Sequence, residues 1–302
     1  MDRRKFIAST LWLSAGMTII PAKNLLANRV YHQMKPIRRN VGIFTGRGGT
    51  IGWYADSDSV IIVDTQFPSS ASMLHDEVRQ FSSGPVLTLI NTHHHADHTA
   101  GNTYFRNLAN QIVAQEKVPD LQRNMAEMQN TESEQTYADV TFEENWIADT
   151  GSEIVRATHY GPAHTSGDAI VWFENANIVH MGDLVFNRWY PFIDINNGAS
   201  ITNWIQVLDT VASQSDSDTV FIFGHGSTNY GITGDVQDLN IMKNYLAALL
   251  ELVDRSITRG DNLDDILNHP RIEGFPNHVS AGARLSLRAN IRAAWQELNG
   301  HL

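Results

Sequence analysis

Apolar residues fall mostly into short runs broken by glycine, proline and aspartate, and take helical spacing only in a few longer segments. Residues 41–45, 50–55 and 59–64 read as three strands of a meander, with Gly46-Arg47-Gly48-Gly49 and Asp56-Ser57-Asp58 as the turns between them. The run Val60-Ile61-Ile62-Val63 is apolar on both faces, which predicts a central strand covered on both sides. Residues 28–39 ahead of it are polar and read as a loose lead-in.

The same reading continues downstream. A proline near its start and apolar Met73, Leu74 and Val78 predict a helix over 68–79, and 85–91 is a buried-type strand. Short helices follow at 101–105 and 118–128, around a small strand at 111–114, with a polar loop at 130–135. Strands return at 153–159, 169–173, 178–180 and 219–223. A helix at 200–212 carries Ile201, Trp204, Ile205, Leu208 and Val211 on one face. Residues 235–302 read as almost wholly helical. No internal repeat stands out. This order predicts an α+β fold in which two mixed sheets pack face to face with helices outside, although patterning does not fix the topology.

Chemistry concentrates at the end of the 85–91 strand. Thr92-His93-His94-His95-Ala96-Asp97-His98 places four histidines and a carboxylate in six consecutive positions, 93–98. A strand would send alternate side chains to opposite faces, whereas a loop leaving a strand end can turn His93, His95, Asp97 and His98 toward one point. A chance histidine-rich surface loop is the plain alternative. Against it, further candidates lie just past later strands: His164 in Gly161-Pro162-Ala163-His164-Thr165-Ser166-Gly167, Asp183 in His180-Met181-Gly182-Asp183, and His225 between Gly224 and Gly226. Singly, each is as well explained as a loop or turn residue. Together they read as a metal site.

Composition narrows the partners. The 302 residues are 42% hydrophobic, enough for a sizeable core, and the net charge of −11 argues against a nucleic-acid partner. There is no cysteine, so any transition metal must be held by imidazole and carboxylate. Arg3-Arg4 ahead of the apolar stretch 6–20 resembles a twin-arginine signal peptide over residues 1–27, too short for a stable membrane span. That reading implies the twin-arginine export machinery as a partner, a periplasmic location, and a single domain over 28–302. Retention by an uncleaved anchor is its alternative. Losing residues 1–27 removes Arg3, Arg4, Lys5, Lys23 and Asp2 and takes the net charge from −11 to −14.

The series His93-x-His95-x-Asp97-His98, then His164, Asp183 and His225, resembles the metal-ligand pattern of the metallo-β-lactamase-fold superfamily, from residue 41 to about residue 230. The resemblance implies a four-layer αββα sandwich. It also implies two zinc ions per chain, although iron or manganese would suit the same donors. His93, His95 and His164 would hold one ion, Asp97, His98 and His225 the other, with Asp183 bridging. Asp64 matches the superfamily's early strand-end aspartate, which orients a ligand without touching the metal, and Asp168 is a candidate for the same role or a turn former. His94 and His180 fall outside the pattern.

The resemblance further implies a hydrolase acting on an ester, thioester, lactone or amide bond of a small molecule. Its nucleophile would be a hydroxide shared by two ions roughly 3.5 Å apart, oriented by Asp97. Asp183 in place of a cysteine, and Phe186 where the lactamases carry a lysine, resembles the glyoxalase II-like and exported zinc hydrolase branch. The aromatics in 186–192 are candidate cavity walls, with Trp189 and Tyr190 equally readable as core. Three alternatives stay open: β-lactamase activity, a mononuclear iron enzyme like the persulfide dioxygenases using His93, His164 and Asp183, and a non-catalytic metal-binding module. Oligomeric state is not readable.

Overall fold

The computed structural model describes residues 32–300; the stretch read as a signal peptide lies outside the described residues. Among these residues, one sheet holds seven strands in chain order: β1 Gln33–Arg38, β2 Val41–Thr45, β3 Ile51–Ala55, β4 Val60–Val63, β5 Val86–Asn91, β6 Ile112–Gln115 and β7 Val140–Phe142. The first four run antiparallel as a meander, and β4 through β7 are parallel. The second sheet is built from β8 Asn145–Asp149, β9 Ile154–Thr158, β10 Ile170–Phe173, β11 Ile178–His180, β13 Val220–Ile222 and β15 Thr233–Gly234, in the order β15-β13-β11-β10-β9-β8. A two-stranded ribbon joins β12 Phe186–Asn187 to β14 His225–Gly226.

Side-chain alternation sorts these strands into layers. In β4, Ile61 and Val63 join Val155, Val171, Phe173 and Ile222 in a core between the two sheets, while Val60 and Ile62 face outward. The outward face of the first sheet is covered by α1 Pro68–Val78, through Ala71, Leu74 and Val78, and by Phe105 of α3 Asn102–Phe105; the short α2 Ala96–Thr99 precedes α3, and α4 Val118–Gln129 follows β6. Ile170, Trp172 and Phe221 on the outer face of the second sheet pack against α5 Ile201–Gln214, α6 Val236–Arg259 and α8 Leu287–Leu298. The result is the αββα arrangement expected from the sequence. No helix among the described residues is long and apolar enough to cross a membrane.

Several local readings are corrected. Part of the stretch read as a loose lead-in is β1, an edge strand paired antiparallel with β2; its outer side faces solvent, so it carries too few apolar residues to announce itself. Strands β7 and β8 are also present beyond the sequence reading. In β8 only Trp146 and Ala148 turn toward the core, and Ile147 is exposed. The C-terminal region is not continuous helix. Between α7 Leu263–Leu267 and α8, residues 268–286 are irregular, broken by Pro270, Gly274, Pro276 and Gly282.

Parallel running explains where the site lies. Strands β4 and β5 are parallel in one sheet; β11 and β13 are parallel in the other, and β9, two antiparallel steps from β11, runs the same way. Their carboxyl ends therefore gather at one edge of the sandwich. Thr50 N donates to Gly224 O (2.9 Å) and Ala169 N to Thr92 O (2.7 Å), tying the two sheets together there.

Candidate metal centre

All seven candidate ligands converge at that edge. His93, His95, His164 and Asp183 present donor atoms within 4.8 Å of one another, and Asp97, His98 and His225 form a second such group. Asp183 lies between the groups. Its Oδ2 is 3.7 Å from His93 Nε2, 3.6 Å from His164 Nε2 and 3.5 Å from His225 Nε2, while Oδ1 is 3.1 Å from His98 Nε2. Asp97 Oδ2 closes the second group, 3.2 Å from His225 Nε2.

Four imidazoles are anchored by the nitrogen that faces away from this centre. His93 Nδ1 meets Thr92 Oγ1 (3.0 Å), His98 Nδ1 meets Asp64 Oδ2 (2.7 Å), and His164 Nδ1 meets the Phe192 carbonyl (2.8 Å). His95 reverses the pattern, with Nε2 on Asp194 (2.8 Å) and Nδ1 toward His164 Nε2 (3.0 Å). Anchoring one nitrogen fixes the tautomer and leaves the other as a donor. His225 is held instead by stacking: its ring lies 5.3 Å from Phe186 and 5.9 Å from Trp189, nearly parallel to both.

Asp64, fully buried just past β4 with φ of 64°, accepts from Thr92 N and Thr92 Oγ1 (both 2.8 Å) as well as from His98. It fixes the His98 ring from outside the centre. Asp168 touches no ligand directly. It accepts from Thr165 N and Thr165 Oγ1 (2.8 Å each) and so shapes the turn that follows His164; burial lifts its carboxyl to about 7 against those bonds.

The electrostatics follow from so many groups sharing a dry space. Burial pushes His93 well below the ordinary imidazole range and takes His164 down to about 4. Burial opposes charge on His98 too, but the Asp183, Asp64 and Asp97 carboxylates hold it well above that range, and Asp183 and Asp97 likewise raise His225 to about 9. Asp97, despite burial, is brought down to about 2 by His98 and His225, and the same two imidazoles hold Asp183 well below the usual carboxylate range.

A metal fits these donors. His93 Nε2 is buried without a hydrogen-bond partner, and His98 Nε2 and Asp183 Oδ1, though close, do not satisfy each other with hydrogen-bond geometry. Burying polar atoms this way is costly unless a cation takes them up. Nitrogen and carboxylate donors with no sulfur suit zinc, iron or manganese.

Two histidines of the neighbourhood lie outside the groups around Asp183. His180 bridges the sheets through Nε2 and the Thr50 carbonyl (3.1 Å). His94 is buried beside the centre with Nε2 3.8 Å from Asp194 Oδ2, outside both groups around Asp183, and burial takes it down to about 3. Asp194 is the residue that sequence reasoning missed. It ends the aromatic stretch after Asp183, and its only sequence signal was a lone acid after Pro191-Phe192-Ile193.

A cavity of about 390 Å³ opens onto the centre, walled by Phe67, Met125, Phe186, Phe192 and Leu285, with Asp97, Asp183 and His225 at its floor. The aromatic stretch thus divides: Phe186 and Phe192 line the cavity, Trp189 backs His225, and Tyr190 packs against Tyr245 and His278.

Residues 44–254 match the family model described as the metallo-beta-lactamase superfamily. Over 174 residues the chain is 29% identical to the 2,4-dinitroanisole O-demethylase subunit alpha of Nocardioides sp. (strain JS1661), covering 57% of this chain and 51% of that one; the chain thus spans about half the length of this curated relative. Among solved structures, a metallo-beta-lactamase from Pontibacter korlensis superposes with a TM-score of 0.61 at 17% identity, covering 72% of this chain and 99% of that one. A double mutant of the sec-alkyl sulfatase PisA1 gives 0.71 at 12% identity, over 90% of this chain and 51% of that one. At such identities the likeness speaks for the fold alone.

Proposed function

The chain belongs to the metallo-beta-lactamase superfamily, and on that premise we propose that it is an exported, zinc-dependent hydrolase that cleaves an ester, thioester, lactone or amide bond of a small molecule in the periplasm. The observation that carries this reading is the position of Asp183, whose Oδ2 lies 3.5 to 3.7 Å from histidines of both groups while Oδ1 lies 3.1 Å from His98. His93, His95 and His164 would hold one ion, Asp97, His98 and His225 a second, with Asp183 shared. Divalent ions held there supply Lewis acidity, lowering the pKa of water and polarising the bond to be cleaved.

The remaining roles belong to the chain itself. Asp97, at the cavity floor and held at about 2, carries no proton at neutral pH, so it accepts a hydrogen bond from the attacking water and sets its direction. Asp64 and Asp194 keep His98 and His95 aimed inward. Phe67, Phe186 and Phe192 exclude water from around the apolar part of the substrate. Phe186 at the position where lactamases carry a lysine, and Asp183 in place of their cysteine, favour a substrate other than a β-lactam.

The test is a metal count on purified, folded protein followed by a panel of thioesters, lactones, aryl esters and β-lactams. The names of the relatives add 2,4-dinitroanisole and a secondary alkyl sulfate to that panel. Two zinc ions per chain with turnover of an ester, thioester or lactone is the expected result. One iron without zinc would replace this reading with the mononuclear one, and a full metal complement with no turnover on any member would leave a metal-binding module.

A further inference from the structure

The cavity over the metal centre does not end at Phe192. A second groove, about 840 Å³, shares Met125, Phe192 and Arg284 with it and runs along the start of α8, where Arg288 and Arg292 line its wall. The two spaces therefore adjoin: metal-centre residues lie on one side, Met125 and Phe192 between, and three guanidinium groups on the other.

We propose that this basic groove is a subsite for the oxyanion head, a carboxylate or a sulfate, of an amphiphilic substrate whose scissile bond lies over the metal centre. The proposal rests on the hydrolytic reading for its second half only. Arg284 lies with its guanidinium carbon 5.5 Å from the centre of the Phe192 ring and has no carboxylate partner among the described residues; nor has Arg292. Arg288 meets only neutral acceptors, Leu267 O at 3.4 Å and Asn268 Oδ1 at 3.3 Å. By contrast Arg38, Arg156 and Arg188 each sit on an acid.

The one carboxylate in the groove wall cannot neutralise these cations. Asp194 is 4% exposed, and its Oδ2 is already taken by His95 Nε2 and Asn197 Nδ2. Arg288 and Arg292, four apart on α8, stand on one face of the helix and add their positive charges along one wall. In a chain of net charge −11, three arginines without acids around one groove make a local reversal of sign. Guanidinium groups bind carboxylate and sulfate oxygens through paired N–H donors, and the three here are exposed and open to such a ligand. All three arginines lie beyond residue 254, outside the span matched by the family model, so the subsite is a feature of this chain's own C-terminal region.

Titration calorimetry with octanoate, octyl sulfate and octan-1-ol tests the subsite on the full chain, both chelator-stripped and zinc-loaded. Wild type is expected to bind the two anions at least about tenfold more tightly than the alcohol in both forms, a preference that weakens with salt. The double variant Arg284→Ala/Arg292→Ala should lose that preference, and Arg284→Lys/Arg292→Lys should keep part of it; if the alanine variant does not fold, Arg284→Gln/Arg292→Gln replaces it. Equal binding of octanoate and octan-1-ol by wild type, or unchanged octanoate affinity in the folded double variant, overturns the proposal. Anion preference that appears only with zinc also overturns it, since the metals would then be the anion site. A silent ester panel with anion preference intact sinks the hydrolytic reading and leaves the subsite standing.

Discussion

Asp194 Oδ2 lies 2.8 Å from His95 Nε2, and the other nitrogen of that ring lies 3.0 Å from His164 Nε2 at the centre. The same aspartate donates its backbone N–H to the His164 carbonyl (3.2 Å), so one residue steadies two candidate ligands. Replacing it frees the His95 ring to change tautomer and to rotate. Asp194→Ala is therefore expected to weaken zinc binding about 10- to 100-fold in competition with a chromogenic chelator. Asp194→Asn, which still offers an acceptor oxygen, should lose less. Equal affinity in Asp194→Ala and wild type would rule out this positioning role.

The part of this centre that sequence displayed and the part it hid differ for a physical reason. His93 through His98, His164, Asp183 and His225 follow short apolar runs directly, and parallel strands bring their ends to one edge, so local pattern alone pointed to them. Asp194 and Arg284 sit in irregular chain with no periodicity; contacts distant in sequence, His95 for one and Phe192 for the other, give them their place. The same holds for the fold. Strand β4 is covered on both faces and reads as unbroken apolar residues, whereas β1 and β8 lie at sheet edges with one side wet, and the helix expected through residues 268–286 gives way to breakers.

Asp64 offers a stability test. It is wholly buried, and its carboxylate satisfies Thr92 N, Thr92 Oγ1 and His98 Nδ1 at once. Asp64→Ala leaves these donors without an acceptor in a dry space, a cost of about 3 kcal/mol. Thermal unfolding of the metal-free protein should show that loss as a lowered Tm, and zinc binding should weaken in parallel. A variant with wild-type Tm would mean that the Asp64 bonds do not hold the loop.

Protonation and metal loading compete at His225. In the metal-free protein burial disfavours its charge, but Asp183 and Asp97 raise it from 6.5 to about 9, so this pairing stabilises the fold fully below about pH 6.5 and is lost as pH rises through about 9. Asp97 runs the other way. Its carboxyl falls from 3.8 to about 2, a contribution present above about pH 3.8 and lost as pH falls through about 2. Zinc must displace the His225 proton and the one on His98, so apparent affinity should climb with pH to at least about 9. Calorimetric titration at pH 7 in buffers of different ionisation enthalpy should reveal proton release; heats independent of buffer would contradict it.

Close packing of backbone against the centre gives the last prediction. A Cβ at Gly224 would lie 2.0 Å from Asp183 Oδ1 and 2.7 Å from the Gly182 carbonyl, and one at Gly49 would lie 2.2 Å from His98 Cε1. Neither glycine has a positive φ, so space alone demands it there. Gly224→Ala must push Asp183 off its position between the two histidine groups, and Gly49→Ala must turn His98. Each is expected to cut zinc content at least about tenfold, since donor misplacement on the ångström scale is enough to spoil a coordination set. Gly151→Ala provides the contrast, having no atom within 4 Å but a φ of 82°. It should cost about 1 kcal/mol in unfolding free energy from backbone strain and leave metal content at the wild-type value. If Gly224→Ala bound two zinc ions as tightly as wild type, Asp183 could not be the shared ligand.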